Sequence, residues 1–306
     1  MSPTFPHQAN CDFSLNEDPV DVTVVVPAFN EEEAMGEDIE GIREALIRHG
    51  VPFEILVVDD GSTDTTRQVG LDHGARVISH YSNRGVGAAR KTGIKAARGE
   101  IIVMIDADNS YPADQIPVLL GYMNRCDMVV GDRSIEAGTV PLLRKFAKRL
   151  IRWLASYLTR QKIYDLNSGL RAFRKETVLP YFNILPAGHS WVSTITIAYL
   201  ASGLTVKYTP IDYYKRTGKS TFKPIGDTAG FIGLVFRTIM LFNPLRFFLP
   251  VVGLLFLLSV VKGVWIDKAW GPNPLSDSTV MIFMTAVILM ALGIIAEIQV
   301  RLCRQW

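Results

Sequence analysis

From Val22 to Val130 the chain alternates short apolar runs, rich in β-branched residues, with longer stretches of helical period. The runs are Val22–Val26, Ile55–Val58, Val77–Ile78, Ile101–Ile105 and Met128–Val130. Four or five consecutive apolar residues bounded by turn signals suit a strand buried on both faces, and the intervening stretches suit crossover helices. The pattern predicts an α/β fold with a mostly parallel, doubly wound sheet over residues 22–223. Sheets of this kind gather their sites at the carboxyl ends of the strands. Three of those ends carry polar clusters, namely Pro27–Glu33, Asp59–Asp64 and Asp106–Ser110.

Beyond Pro224 the period changes. Residues 224–245 read as an amphipathic helix lying on a membrane surface, with Phe231, Ile232, Leu234, Val235, Phe236, Ile239 and Met240 against Arg237. A buried core helix is the alternative. Residues 246–306 hold two apolar stretches, Phe247–Ile266 and Thr279–Ala296, each long enough to span a bilayer. The first is interrupted by Pro250 and Lys262. Its Phe, Leu, Val and Ile residues contribute roughly 4–8 kcal/mol towards insertion, against at most about 2.5–3.5 for a central lysine. Insertion wins, and Lys262, near the end, can snorkel. Arg237 and Arg246 precede the first span and Arg301 and Arg304 follow the second, while the connection carries only Lys268 against Asp267 and Asp277. The positive-inside rule then places both ends of the hairpin, and the catalytic domain, in the cytoplasm.

Composition adds exclusions. With 32 Lys+Arg against 30 Asp+Glu the net charge is +2, so no nucleic-acid partner is expected. Cys11, Cys126 and Cys303 form no CxxC pair and are odd in number, which excludes a disulfide framework and fits a reducing compartment. Residues 1–21 are polar, carry Pro3, Pro6 and Pro19, and read as a disordered lead-in without a signal segment.

Asp106-Ala107-Asp108 is the strongest chemical signal. Two carboxylates on alternate positions at a strand end can hold a hard divalent cation together with a diphosphate. Asp59–Asp64 repeats the theme, with Ser62 or Thr63 also suited to cap a helix. Glu31–Glu33 suit the positive end of the helix that follows. Asn83–Arg90 lacks the third glycine of a dinucleotide fingerprint and does not follow the first strand, which disfavours a Rossmann dehydrogenase. It reads either as a phosphate-approaching loop or as plain helix N-terminus packing.

Taken in order, PAFNEE at 27–32, VVDDGSTD at 57–64, NRGVGAARKTG at 83–93, DADNSYPAD at 106–114, GDR at 131–133 and NSGLRAFRK at 167–175 resemble glycosyltransferase family 2. With two C-terminal spans the chain is similar to the polyprenyl-phosphate branch, the relatives of dolichyl-phosphate mannose synthase and of undecaprenyl-phosphate glycosyltransferases. The resemblance implies a GT-A fold, a UDP- or GDP-hexose donor, undecaprenyl or dolichyl phosphate as acceptor, Mg2+ or Mn2+ as cofactor, and allows a homo-oligomer. It implies that Pro27, Phe29, Glu31 and Asp60 line the nucleoside and that Asp106 and Asp108 hold the metal with Ala107 between them. Ser110 stands where relatives often carry Gln. Arg133 would approach a phosphate, and Lys215–Ser220, with Arg216 and Lys219, resembles a loop that closes over the diphosphate, the alternative being a basic stretch touching anionic lipid. From the basic helix Arg144–Trp153, Arg149 is the candidate for the acceptor phosphate, with Arg144 and Lys148 as alternatives.

Many family members that glycosylate a hydroxyl place a carboxylate base after the SG segment, yet residues 177–211 contain no Asp or Glu and offer His189-Ser190-Trp191. The QxxRW signature of processive synthases is missing. A phosphate with second pKa near about 6 is already ionised at neutral pH and needs no base. The absence favours phosphate as the nucleophile, and the resemblance then implies Asp108, Arg133 and Arg149 as the catalytic residues of an inverting transfer. Two other readings stand beside it: a non-processive transfer to a lipid hydroxyl, and a silent sugar-nucleotide-binding membrane module.

Overall fold

The computed structural model describes residues 20–133, 156–157, 161–188, 190–214, 240, 242, 244–267 and 276–303. Almost all of the lead-in, most of the stretch 224–245, the basic helix with Arg144, Lys148 and Arg149, His189, and the loop with Arg216 and Lys219 lie outside the described residues.

Strands β1 (Val22–Ala28), β2 (Phe53–Asp59), β3 (Arg76–Ser79), β4 (Ile101–Met104) and β5 (Met128–Asp132) fall on the five apolar runs. Helices α1 (Met35–His49), α2 (Thr66–Asp72), α3 (Val86–Ala96) and α4 (Ile116–Leu120) connect them. Two further strands, β6 (Arg171–Arg174) and β7 (Val206–Pro210), flank the helix α5 (Trp191–Ala201). The seven strands form one sheet in the order β3-β2-β1-β4-β6-β5-β7. β1 pairs parallel with β2 and β4, and β5 parallel with β7, whereas β6 runs antiparallel to both β4 and β5.

The unbroken apolar runs follow from burial on both faces. Val24, Val26 and Val57 point into one core with Ile39, Ile42 and Leu46 of α1, while Val25, Leu56 and Val58 point into the other with Ile94 of α3 and Trp191 and Ile195 of α5. Gly93 of α3 is set so close to β1 that a Cβ there would stand 2.3 Å from a Val25 methyl.

Helices α6 (Pro244–Val261) and α7 (Asp277–Cys303) pack against each other as a hairpin, and α6 runs on into a wider helical turn over Lys262–Asp267. The windows 244–265 and 277–300 are long and apolar enough to cross a membrane, about 33 and 36 Å at 1.5 Å per residue. Leu254, Leu257, Met281 and Ile288 are exposed along them, as lipid-facing residues would be. Lys262 turns into the hairpin tip, where Nζ donates to Asp267 Oδ1 at 2.9 Å, Ser276 Oγ at 2.6 Å and Thr279 Oγ1 at 3.1 Å. These partners across the turn satisfy the ammonium at the tip end of the first apolar window.

Candidate active site

Asp106-Ala107-Asp108 leaves the sheet just beyond β4, after Ile105 N–H donates to Val25 O of β1. Ala107 is buried in the same core cluster as Tyr111, while the Asp106 side chain keeps part of its surface exposed. Asp106 Oδ1 accepts from Arg90 Nη2 of α3 at 2.7 Å, and Arg90 lies over the Trp191 ring at 5.9 Å. A Cβ on Gly169 would sit 2.2 Å from Asp106 Oδ2, so only glycine fits there. The Gly169 N–H in turn donates to Tyr111 Oη at 2.6 Å. Asp108 is buried, and its Oδ1 accepts from the N–H and hydroxyl of fully buried Ser110.

Asn109 follows with φ 55°, a left-handed conformation that asparagine tolerates. Its N–H donates to Asp38 Oδ2 at 3.2 Å and its Nδ2 to Glu37 Oε2 at 2.8 Å, so α1 carries two carboxylates to the site that its sequence spacing did not announce. Burial, and behind it the charges of Asp108, Asp106 and Glu31, push the Asp38 carboxyl up to about 7 against the Asn109 hydrogen bond. A carboxyl with a raised folded pKa loses stability as pH rises, from its unfolded value near 3.8 upward through 7. Without divalent metal, Asp38→Asn is therefore expected to stabilise the protein by on the order of 2 kcal/mol more at pH 8 than at pH 5. Chemical denaturation in EDTA at the two pH values measures this, and an equal effect at both would refute it.

The ends of β1 and β2 are tied to each other. Asn30, also at φ 55°, takes the Thr63 N–H on Oδ1 at 2.8 Å and gives its own N–H to Ser62 Oγ at 3.0 Å. Glu32 Oε2 accepts the Thr65 N–H and hydroxyl at 2.9 and 2.6 Å. Helix α2 starts at Thr66, whose N–H bonds Asp64 Oδ1 at 3.0 Å, so neither Ser62 nor Thr63 caps it. Pro27 is buried opposite Val58, Phe29 and Glu31 are half-buried, and Glu31 gives its N–H to Thr66 Oγ1 at 2.9 Å. Asp60 is buried and carries three donors: Arg84 N–H at 3.0 Å, Gly85 N–H at 2.7 Å and His80 Nδ1 at 2.6 Å. His80 Nε2 meets Thr92 Oγ1 at 2.9 Å.

The glycine-rich segment 83–93 packs against backbone. Cβ atoms on Gly85 and Gly87 would stand 2.6 Å from Ala187 O and 2.4 Å from Pro186 O, and the Ala88 N–H donates to Ala187 O at 3.0 Å. Helix N-terminus packing is thus the role seen for these glycines.

Arg133, at the end of β5, forms a bidentate pair with Asp165, Nε to Oδ2 at 2.7 Å and Nη2 to Oδ1 at 3.1 Å, with Tyr213 stacked at 5.1 Å. Burial alone would raise the Asp165 carboxyl, but the hydrogen bonds and charge of Arg133 outweigh it and hold it below the usual range. Arg171 of β6 is fully buried, where Nη1 donates to Val192 O and Thr196 Oγ1 and Nη2 to Ser168 O. Burial and repulsion from Arg90 pull its guanidinium down to about 10. Among the described residues no group of three His, Cys, Asp or Glu is placed to hold a metal.

The model of glycosyl transferase family 2 matches residues 23–179, over half of the chain and all of the elements just described up to the start of α5. The chain belongs to this family. As a glycosyltransferase it carries, over residues 243–302, a match to the GtrB C-terminal hairpin. It is 30% identical to a dolichyl-phosphate hexose transferase of Haloferax volcanii over 68% of this chain and 90% of that one. An uncharacterised protein of Methanocaldococcus jannaschii is 33% identical over 64% of this chain and 82% of its own. An undecaprenyl-phosphate 4-deoxy-4-formamido-L-arabinose transferase of Pectobacterium atrosepticum is 32% identical over 53% and 51%. Glucosyl-3-phosphoglycerate synthase from Mycobacterium tuberculosis, solved with Mn2+, UDP-glucose and phosphoglyceric acid, superposes with a TM-score of 0.58 over 72% of this chain and 80% of that one. At 22% identity that likeness establishes the GT-A fold alone.

Proposed function

We propose that this glycosyltransferase moves a hexose, with inversion, from a UDP- or GDP-sugar to a polyprenyl phosphate at the cytoplasmic membrane face. The observation that carries the reading is the union, in one chain, of the Asp106–Asp108 strand end with an apolar hairpin packed against the same domain. The names of the dolichyl- and undecaprenyl-phosphate transferases among its relatives support the acceptor class.

Asp106 and Asp108 would hold Mg2+ or Mn2+. The donor set is hard oxygen, and the crowding of Asp38, Asp106, Asp108 and Glu31 makes a field that a cation would relieve. When bound, the cation neutralises the leaving diphosphate. Pro27, Phe29 and Glu31 border the nucleoside, and Asp60 would contact the base while holding the Arg84–Gly85 backbone. Arg133 would meet the acceptor phosphate through Nη1, the nitrogen not engaged by Asp165, joined by Arg149 or Arg144. Arg216 and Lys219 would close over the diphosphate. The phosphate oxygen attacks the sugar C1 in line, already ionised, so no side chain has to take its proton.

A screen of UDP- and GDP-hexoses against the purified enzyme with undecaprenyl phosphate, dolichyl phosphate and the free prenol tests the reading. Transfer to the phosphates alone is expected, and equal transfer to the prenol would sink it. Orientation is tested separately, in a background with the native cysteines replaced by serine. Ser278→Cys, exposed at the start of α7, should react with an impermeant maleimide in intact cells, and Ser62→Cys should not. Labelling of both from outside would overturn the topology.

A further inference from the structure

Phe247 stands in the first turn of α6, where the hairpin leaves the catalytic domain. It packs against a small separate core of Ile163, Leu166, Ile197 and Leu200, with Val206 and Tyr208 at its margin. Ile163 and Leu166 bracket Asp165, the partner of Arg133. The segment 163–168 belongs to no helix or strand, so side chains must set its path. Its apolar side is gripped by Phe247, α5 and β7, and Tyr164 lies on Tyr208 at 5.4 Å. On the other side, Asp165 holds Arg133 with both oxygens and takes the Asn167 N–H at 2.8 Å.

We infer that Phe247 is a positioning residue for the Arg133–Asp165 pair, so that docking of the hairpin against segment 163–168, beyond its insertion in lipid, sets the guanidinium. The inference rests on the reading that Arg133 meets the acceptor phosphate. Truncating the half-buried Phe247 ring leaves space into which an irregular segment can shift, and displacements of about 1 Å in a positioning group are costly to catalysis. Phe242 supplies the control. It too joins the membrane-proximal chain to the domain, but through Tyr181, which lies against Tyr199 in a different hydrophobic cluster from Ile163 and Leu166.

The test uses the full chain in nanodiscs, with Phe247→Ala, Phe247→Leu, Phe242→Ala and Arg133→Ala compared in acceptor and donor kinetics and in amide exchange at Asn167. Phe247→Ala should raise the acceptor KM roughly 2- to 30-fold, the range for residues coupled to a site without touching its ligand. The donor KM should stay unchanged, exchange at Asn167 should quicken, and Phe247→Leu should recover most of both. Phe242→Ala should move neither. An unchanged acceptor KM in Phe247→Ala, with Arg133→Ala impaired, would overturn the inference and leave the acceptor reading standing. A normal Arg133→Ala would overturn the acceptor reading instead, and exchange at Asn167 would then decide whether Phe247 holds the segment. Protein that inserts but exchanges at the wild-type rate at Asn167 would end the inference in either case.

Discussion

Asp108→Ala is expected to remove transfer by on the order of 10³-fold or more while the protein stays folded and membrane-bound. The loss follows from the leaving diphosphate, whose developing charge would no longer be met by a cation held at the strand end. Stability should hold because Asp108 is one of several carboxylates repelling one another around Asp38, and deleting one lowers that repulsion. Ser110 does lose its acceptor, which sets a modest opposing cost of about 1 kcal/mol. Activity at saturating Mg2+ or Mn2+, read beside a thermal melt, checks both halves. A variant that keeps a sizeable share of activity would disprove the metal assignment.

Arg133→Ala should show two separable losses. Acceptor kcat/KM should fall about 10²-fold, since a charge-assisted phosphate contact contributes up to about 3 kcal/mol. The melt should also drop, because Asp165 is left nearly buried without its guanidinium, a situation that costs about 3 kcal/mol or more. Adding Asp165→Asn to Arg133→Ala should restore much of the stability and none of the activity. Recovery of both together would mean that the pair is structural only. In the same assays His189→Ala should change little, and the pH profile should show one acidic limb near about 6, belonging to the acceptor phosphate. A loss of about 10²-fold in His189→Ala would instead point to an enzyme base.

Four of the five strands legible in the sequence, β1, β2, β4 and β5, are mostly buried on both faces, where apolar residues cannot be interrupted, and the edge strand β3 shows only as the pair Val77-Ile78. β6 was hidden because it opens and closes on arginine, one of which, Arg171, is buried by hydrogen bonds to carbonyls and a hydroxyl that lie in other elements. β7 is hidden because Lys207 separates Val206 from Tyr208, so no pair of adjacent apolar residues marks it. The same division holds in the site. Asp106 and Asp108 announce themselves through their place after an apolar run. Asp38, Arg90 and Asp165 do not, since each acquires its meaning from a partner brought close by the fold: Asn109, Asp106 and Arg133 respectively. Local spacing carries no trace of such pairs. Gly169 is intermediate: the NSG motif marks it, but only the 2.2 Å approach to Asp106 explains why it must be glycine.

The antiparallel β6 also sets a timetable for biosynthesis. It lies between β4 and β5 in the sheet but follows both in the chain, so a nascent chain that has already made β1 to β4 waits with the outer edge of β4 bare. β5 waits as well, with both of its neighbours still to be synthesised. Bare edges invite pairing with other chains, and slow non-local closure prolongs the invitation. Substitutions along β6 that spare every group near the substrate will therefore register first as poor yield from the ribosome, and only afterwards, in the molecules that escape, as a normal enzyme.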